Sequence, residues 1–255
     1  MSTWQALGQE LQAWSDAGRR ATFWWRDDDA ERPTPALDRL LALARSARVA
    51  PALAVVPAGA GRELADALAE GEDVAVLCHG LGHRNHAPTD AKKAEFGPHR
   101  PVFEMLGEVA AGHERLKLLF TGRALPVFVP PWNRIDPELS RRLPLAGFAG
   151  VSAFGPRAAE HPVPGLVQVN CHFDLTDWRG DRGFVGESRA LAALVEHLRA
   201  RRGGAADGDE PTGVMSHHLV LDEAGWNFLG RLFEALEKCD GAHWLSPREA
   251  FNLAP

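Results

Sequence analysis

Cysteine is scarce in this sequence of 255 residues, which contains only three. Cys78, Cys171 and Cys239 are an odd number, lie far apart and include no Cys-x-x-Cys pair. A small secreted protein that relies on disulfide bonds has an even, conspicuously spaced set. We therefore expect no disulfide framework and a reducing compartment, the cytoplasm, as the place where the protein works.

Long apolar runs and clusters of positive charge are also missing. No stretch approaches the run of about eighteen apolar residues that a membrane-spanning helix needs. Residues 1–20 have the pattern of an amphipathic helix, unlike the charged and then apolar pattern of a signal peptide. Lysine and arginine total 28 against 34 aspartates and glutamates, a net charge of −6, and no basic cluster is present. We therefore expect neither membrane insertion nor a nucleic-acid partner.

The composition favours a single α/β domain spanning residues 1–255. Hydrophobic residues make up 45% of the chain, enough for a sizeable core, and no change of composition marks a domain boundary. Helical and strand patterns alternate, which is typical of parallel strands joined by helices. Helical patterns cover residues 34–48, 62–70, 101–119, 188–201 and 224–236, and strand patterns cover 51–57, 73–78, 126–130, 150–154, 163–170 and 211–220.

Three histidines directly follow one of these strand patterns. His79, His83 and His86 come after the apolar run 73–78. If a helical turn begins where the strand ends, His79 and His83 share one of its faces and could hold one divalent metal ion. Such a site still lacks a carboxylate ligand. The alternative interpretation is a polar loop that contains histidines.

Three consecutive carboxylates follow another short strand pattern, residues 21–25. Asp27, Asp28 and Asp29 repel one another, so the run needs a compensating cation or the protonation of one member. In α/β folds the carboxyl ends of parallel strands meet at the edge where functional sites lie. The acids and the histidines together predict a metal site with two histidines, one carboxylate and open positions for water and substrate. The alternative is a solvated acidic turn.

These two segments resemble motifs of the polysaccharide deacetylases, the NodB-homology carbohydrate esterases of family 4. Arg-Asp-Asp-Asp-Ala at residues 26–30 resembles their first motif, Thr-Phe-Asp-Asp-Gly, and His-Gly-Leu-Gly-His at 79–83 resembles their second, His-Ser/Thr-x-x-His. The resemblance implies that the general base is Asp28 and that the metal ligands are Asp29, His79 and His83. A shift by one residue would make Asp27 and Asp28 the pair instead. The resemblance also implies a distorted (β/α) barrel of about seven parallel strands, similar to a TIM barrel.

The segment after the strand pattern 126–130 resembles the family's third motif, Arg-x-Pro-Tyr/Phe. Pro131 and Trp132 match the Pro-aromatic pair, and Asn133 follows them. Prolines stiffen this turn, which could aim a main-chain N–H near Trp132 at a developing oxyanion. The motif's arginine supports the base in the family, but here Val129 takes its place. Three arginines are candidates to replace it: Arg26, Arg100 and Arg134.

Two later segments resemble the fourth and fifth motifs. Asp174 and Trp178 match an acid followed by a tryptophan that walls the pocket, and Asp177 is the rival acid. Met-Ser-His at residues 215–217 matches Leu-x-His, whose histidine is the general acid in the family. The resemblance therefore implies that His217 is the acid, with His218 as the alternative.

Further residues are candidates for binding substrate or for supporting the site. His172 follows a strand pattern but could be a structural histidine, and Arg100 belongs to the polar segment 91–101, which faces either the site or solvent. The candidates of this kind are Arg26, Asp27, His86, Arg100, Pro131, Trp132, Asn133, His172, Asp174, Trp178 and His218.

The residues by themselves indicate metal-assisted hydrolysis, and only the resemblance supplies the acyl group and the sugar. We expect a hydrolase that removes the acetyl group of an N-acetylated sugar by cleaving its amide, with a carbohydrate or other small-molecule substrate. The expected cofactor is a divalent metal, first of all zinc, with cobalt, nickel or manganese as alternatives. The alternative functions are hydrolysis of a non-sugar amide or imide, and carbohydrate binding without catalysis. The oligomeric state does not follow from the sequence.

Overall fold

A computed structural model describes residues 3–69 and 74–254 of the chain. The strands are β1 (Ala21–Ala30), β2 (Pro51–Val55), β3 (Ala75–His79), β4 (Ala124–Val129), β5 (Gly150–Val151), β6 (Val167–Gln168), β7 (Phe173–Asp174), β8 (Thr212–Ser216) and β9 (Ala242–Trp244). The helices are α1 (Thr3–Asp16), α2 (Pro35–Ala47), α3 (Arg62–Ala69), α4 (Val102–Leu119), α5 (Pro137–Ser140), α6 (Glu187–Gly203), α7 (Glu223–Glu237) and α8 (Pro247–Ala250).

The strands form one sheet in which every pair of named strands is parallel. The order is β6-β5-β4-β3-β2-β1-β8-β7, and β9 lies beside the first residues of β1. The segment 167–174 contains both β6 and β7, and it pairs with β5 through its first residues and with β8 through its last. Because one segment joins the two ends of the order, the sheet closes on itself. The predicted distorted barrel of parallel strands is confirmed.

Local signals explain where the helices begin. The hydroxyl of Thr34 accepts the main-chain N–H of Leu37, and Pro35 occupies the first turn of α2. The carboxylate of Asp222 caps α7 in the same way, by accepting the N–H of Gly225. Helices α2 and α7 therefore begin where the sequence predicts, within one or two residues.

Alternating side chains of the strands divide the core into two layers. Trp24 points into the barrel, where it packs with small residues of β2 such as Ala52 and with Phe251, which follows α8. Trp25, its neighbour, points outward and packs under the helices against Phe233 of α7. Both tryptophans are fully buried. This alternation decides which polar residues of β1 face the interior of the barrel.

Several strand predictions need correction. Strand β1 does not end at residue 25 but continues through the three aspartates to Ala30, because β2 and β8 pair with it along this stretch. The patterns at 150–154 and 163–170 yield only the short strands β5 and β6. Residues 70 and 73, which close one predicted helix and open one predicted strand, lie outside the described residues. In the part of the chain that is described, no helix has the length and hydrophobicity to cross a membrane.

Candidate active site

The polar residues of the candidate site lie at the carboxyl edge of the barrel. Asp28 and Asp29 are near the end of β1, and His79 is the last residue of β3. Asp174 ends β7, and His217 directly follows β8. Because parallel strands all end at the same edge, residues that are distant in sequence meet there. The sequence placed these candidates at strand ends, and the sheet order brings the ends together.

Asp29, His79 and His83 form a group whose donor atoms converge. Asp29 Oδ1 lies 3.2 Å from His79 Nε2 and 3.4 Å from His83 Nε2. All three donor atoms lie within 4.8 Å of one another. His79 is buried, whereas Asp29 and His83 are partly exposed. Two imidazole nitrogens and one carboxylate oxygen, open to solvent on one side, suit a catalytic metal with room for water.

The protonation of His79 fits metal binding. Its Nδ1 lies 3.0 Å from the carbonyl oxygen of Val129, which can only accept a hydrogen bond. Nδ1 therefore carries the proton of the neutral ring, and the lone pair of Nε2 faces Asp29 and His83. A ligand histidine that donates its other N–H to a main-chain carbonyl is a common feature of metal sites. The residues present therefore fit a divalent cation.

His83 reaches the group from a loop and not from the predicted helical turn. Gly80, the residue after β3, has φ +67°, and His83 itself has φ +52°. These values break the helix that would have put both histidines on one face. The ring of His83 instead packs against Trp132, with ring centroids 4.3 Å apart. The two histidines meet because the loop folds back.

Backbone strain is concentrated at this edge of the barrel. Seven non-glycine residues among those described have positive φ, and four of them are Asp29, His83, Trp132 and Asn133. The pairing of β1 with β2 shifts register between Asp28 and Ala30, so Asp29 occupies an irregular position. Strained conformations cost free energy and often mark functional sites. Their grouping here supports a functional interpretation of the four residues.

Burial and neighbouring charges shift the pKa values of the group. Burial would raise the pKa of Asp29, but its contact with His79 and the nearby histidines lower it far below the usual range. Burial lowers the pKa of His83, and the neighbouring His79 lowers it further. Burial would also lower the pKa of His79, but its hydrogen bond to Asp29 and the charges of Asp28 and Asp29 raise it, so Nε2 of His79 gives up a proton when a metal binds. An ionised carboxylate and a neutral imidazole are the forms that bind metal.

Arg26 makes a bidentate ion pair with Asp28 inside the barrel. Its Nε donates to Oδ1 at 2.8 Å and its Nη2 to Oδ2 at 2.9 Å. Its other contacts hold it in place, because Nη1 donates to Ser152 Oγ at 2.7 Å and Nη2 donates to Asn133 Oδ1 at 2.8 Å. Of the three arginines that the sequence offered as partners of Asp28, Arg26 is therefore the one that contacts it.

The other two arginines do not contact Asp28. Arg100 pairs with Glu108 of α4, at 2.6 Å and 2.8 Å, so it does not take the place of the missing arginine beside Asp28. Arg134 donates to the main-chain oxygen of Lys93 at 2.8 Å. Both arginines lie in loops that fold away from the interior of the barrel, whereas Arg26 points into it from β1.

Asp27 faces away from Asp28. One of its carboxylate oxygens accepts the hydroxyl of Ser216 at 2.5 Å, and the other lies 2.5 Å from His218 Nδ1. The same Ser216 oxygen accepts the indole N–H of Trp25 at 2.9 Å, on the outer side of the sheet. The alternative register, with Asp27 as base and Asp28 as metal ligand, is therefore wrong, because adjacent strand residues point to opposite faces. His218 shares the outer face and is not beside the candidate metal group.

His217 lies between an acid and a tryptophan. Asp174 Oδ1 is 3.6 Å from His217 Nδ1, and the ring of Trp178 meets the imidazole edge to face, with centroids 4.7 Å apart. Asp174 Oδ2 also accepts the indole N–H of Trp178 at 2.6 Å. Burial would lower the pKa of His217, but the contact with Asp174 and the charges of Asp28 and Asp29 raise it to about 9. Asp177, the rival acid, instead accepts the N–H of Arg179.

His172 belongs to a separate, buried cluster with His197 and Glu210. The two rings stack with centroids 3.6 Å apart, and His172 Nε2 lies 3.2 Å from Glu210 Oε2. Glu210 also accepts the main-chain N–H groups of Arg157 and Asn170, each at 2.9 Å. This cluster joins β8 to the segment that closes the barrel. The prediction of His172 as a residue of the site is wrong.

The protonation of His172 argues against metal binding by this second cluster. Its Nδ1 accepts the main-chain N–H of Gly213 at 2.9 Å, so the proton of the neutral ring must sit on Nε2. Nε2 then faces Glu210 as a donor and has no lone pair for a metal. Burial, followed by the proximity of His172 and of the Arg201 guanidinium, lowers the pKa of His197 to about 2. The cluster is therefore a buried polar seam, in which Glu210 accepts two main-chain N–H groups and the two imidazole rings stack.

Three further residues complete the comparison with the sequence analysis. His86 is exposed, its main-chain N–H donates to Ala94 O, and it lies outside the metal group, so its role toward a substrate stays a prediction. Glu95 and Ser152, both buried, contact the site and were missed. The only signal for Glu95 was an acid between Ala94 and Phe96, two apolar residues in a polar segment. Ser152 had no signal, because a serine in a strand is common.

Comparisons with known proteins agree with this architecture. No family model matches the sequence, and no curated protein matches it. A putative polysaccharide deacetylase from Mycobacterium smegmatis superposes with a TM-score of 0.61 at 15% identity, over 93% of each chain. The chain has the fold of the polysaccharide deacetylases. At this level of identity the likeness establishes the fold alone.

Other structures with the polysaccharide deacetylase fold are similar to the same extent. A peptidoglycan N-acetylglucosamine deacetylase has a TM-score of 0.56 at 13% identity, with 92% of this chain and 90% of that chain covered. A family 4 acetyl xylan esterase from Clostridium thermocellum, in complex with a cobalt ion, has a TM-score of 0.56 at 13% identity, with 91% and 90% covered. The polysaccharide deacetylase fold of this chain thus extends over nearly its whole length.

Proposed function

We propose that this protein is a metal-dependent hydrolase that removes the acetyl group of an N-acetylated sugar. The observation that carries the proposal is the convergence of Asp29, His79 and His83 at the carboxyl edge of a barrel, where Asp28 and His217 lie at the ends of the adjacent strands β1 and β8. The fold supports it, since similar structures include a peptidoglycan N-acetylglucosamine deacetylase and an acetyl xylan esterase with a cobalt ion. Zinc is the first candidate for the metal, and cobalt the second.

Asp29, His79 and His83 would hold the cation. A divalent cation bound there would polarise the acyl carbonyl of the substrate and lower the pKa of water. His79 is already oriented for this task by its hydrogen bond to Val129, and Trp132 supports the ring of His83. These contacts orient the two histidine rings before the cation arrives, so that the side chains need to rearrange little when it binds.

Asp28 is the proposed general base. It lies next to Asp29 in sequence, and Arg26 holds both of its carboxylate oxygens inside the barrel. Asp28 would take the proton of the water that attacks the acyl carbon. The pair of hydrogen bonds from Arg26 orients the carboxylate and leaves its remaining lone pairs for that proton. A main-chain N–H near Trp132 stays our predicted donor to the oxyanion.

His217 is the proposed general acid. Its pKa of about 9 means that the ring is protonated at neutral pH and can deliver a proton to the leaving nitrogen. Asp174 and Trp178 keep it in place from two sides. The half-exposed face of Trp178 is an apolar wall on which a sugar ring could lie. The expected products are acetate and a free amino sugar.

The test combines metal analysis with a product assay. The metal content of the purified protein is measured by elemental analysis, beside the His79→Ala and Asp29→Ala variants. The control is His243→Ala, which changes an exposed histidine in β9 at the opposite end of the barrel. We expect stoichiometric divalent metal in the wild type and the control, loss of metal in the two site variants, and release of acetate from N-acetyl sugars only where metal is retained. A wild type that stays metal-free after incubation with zinc or cobalt would refute the proposal.

A further inference from the structure

Glu95 is a buried acid that holds the loop carrying His83. Its Oε1 accepts the main-chain N–H of Gly82 at 2.9 Å and that of Arg84 at 3.3 Å, and its Oε2 accepts the N–H of Leu81 at 3.3 Å. The side chain is only 2% exposed. One carboxylate thus satisfies three N–H groups of a loop that has no regular structure of its own.

The three hydrogen bonds go to main-chain N–H groups on both sides of His83 in the sequence. Oε1 holds the residues before and after it, Gly82 and Arg84, so the chain must turn at His83 itself. This turn explains the positive φ of His83, a conformation that few non-glycine residues adopt without support. The carboxylate of Glu95 therefore provides the support that a helical turn would have provided.

Gly80 makes room for the carboxylate. A β-carbon built on Gly80 would lie 2.1 Å from Glu95 Oε2, far inside van der Waals contact. Gly80 also has φ +67°, which glycine adopts without strain. The absence of a side chain at residue 80 and the buried acid at residue 95 are therefore two parts of one arrangement.

Glu95 is itself anchored to the barrel. The neighbouring Phe96 is fully buried, packs against Phe128 of β4 and accepts the N–H of Asp136 through its carbonyl oxygen at 2.7 Å. Arg100, paired with Glu108 of α4, donates to the carbonyl oxygen of Glu95 at 3.2 Å. The segment around Glu95 thus connects the loop of His83 to the rigid scaffold.

We propose that Glu95 is a positioning residue of the candidate metal centre. It holds the loop 80–84 so that Nε2 of His83 faces Asp29 and His79 before any metal binds. The proposal rests on the proposed function, because it assigns a task toward the same metal. Removing the carboxylate releases the loop, and the metal must then order His83 as it binds, which lowers affinity.

The affinity for Co²⁺ and Zn²⁺ is measured by titration calorimetry on the metal-free full-length protein, for the wild type, Glu95→Ala and Glu95→Gln. We expect Glu95→Ala to bind about 10–100-fold more weakly, the range known for residues that orient metal ligands. Glu95→Gln retains a single acceptor oxygen and should fall between the two. The matched control is Glu114→Gln, an exposed acid on α4 that pairs with Lys117 and does not contact the loop or the segment around Glu95. It should bind like the wild type.

A second readout separates positioning from simple stabilisation. The thermal midpoint is recorded with and without Co²⁺, together with the visible absorption of bound Co²⁺. A merely structural role would lower the midpoint of the metal-free protein and leave the affinity and the cobalt spectrum unchanged, which would overturn the proposal. If Glu95→Ala does not fold, Glu95→Gln carries the same test. A wild type that binds neither metal would instead defeat the proposed function, so the two failures are distinguishable.

Discussion

Arg26 donates to both carboxylate oxygens of Asp28 from two positions earlier on the same strand. Residues two apart on a strand share a face, so the pair forms within β1 itself and needs no second loop. Arg26 is completely buried, and Asp28 nearly so. The guanidinium replaces, from inside the barrel, the arginine that the resemblance leads one to expect at Val129, the last residue of β4.

Removal of Arg26 should destabilise the fold. Arg26→Met leaves Asp28 and Ser152 without their partner in the barrel, and breaking a buried ion pair costs about 3–5 kcal/mol. The free energy of unfolding is measured by urea denaturation. Arg134→Met, which changes a less buried arginine in a nearby loop, should stay within about 0.5 kcal/mol of the wild type. The double variant Arg26→Met, Asp28→Asn should recover part of the loss, and additivity of the two changes would contradict a direct pair.

The three aspartates of β1 should give three different phenotypes. Asp29→Asn should lose metal, and Asp28→Asn should keep metal but lose turnover by about 10²–10⁴-fold, the usual contribution of a general base. Asp27→Asn should keep metal and most activity but unfold more easily, because it weakens buried hydrogen bonds to Ser216 and His218. Metal content, acetate release and urea unfolding are measured for each. Loss of metal in Asp27→Asn would show that the register within the run is wrong.

The alkaline limb of the pH–activity profile should depend on Asp174. A general acid works only while protonated, so activity falls as pH rises through the pKa of His217, about 9 in the metal-free protein. Bound metal adds positive charge and moves this limb to lower pH. Asp174→Asn removes a negative charge that raises the pKa, so the limb should shift further toward lower pH.

The control for this profile is Asp177→Asn. Asp177 was the rival acid of the fourth motif, but its carboxylate contacts the main chain of Arg179. The profile of Asp177→Asn should therefore coincide with that of the wild type. An equal shift in both variants would mean that His217 responds to the general charge of the loop and not to its contact with Asp174.

The seam formed by His172, His197 and Glu210 should affect stability without affecting metal content. Glu210→Ala leaves two buried main-chain N–H groups without an acceptor, and each unsatisfied group costs about 1–3 kcal/mol. We expect a large loss in the free energy of unfolding, with the same metal stoichiometry as the wild type. A second equivalent of metal in the wild type that disappears in Glu210→Ala would contradict the protonation assigned to His172.

Some properties of the site could be predicted because they depend on short stretches of sequence. The alternation of helices and strands follows from hydrophobic periodicity and local caps, so a parallel α/β fold could be anticipated, and the resemblance to the polysaccharide deacetylases implied that it is a barrel. The meeting of the aspartate run with His79 and His83 could be expected in advance, since parallel strands end at one edge, whereas only the resemblance pointed to Asp29 within the run. The catalytic and metal-binding roles of these residues stay predictions until the variants are measured.

The sequence by itself determined that the chain forms a parallel α/β fold with acids and histidines at its strand ends. Only the tertiary structure decided that Arg26, and neither Arg100 nor Arg134, contacts Asp28, and that Asp27 points away. It also decided that His79 donates through Nδ1 whereas His172 accepts there, and that Glu95 supports the loop of His83. The physical reason is that the direction, the protonation and the burial of a side chain depend on which groups of distant strands and loops surround it. A local sequence pattern does not contain that information.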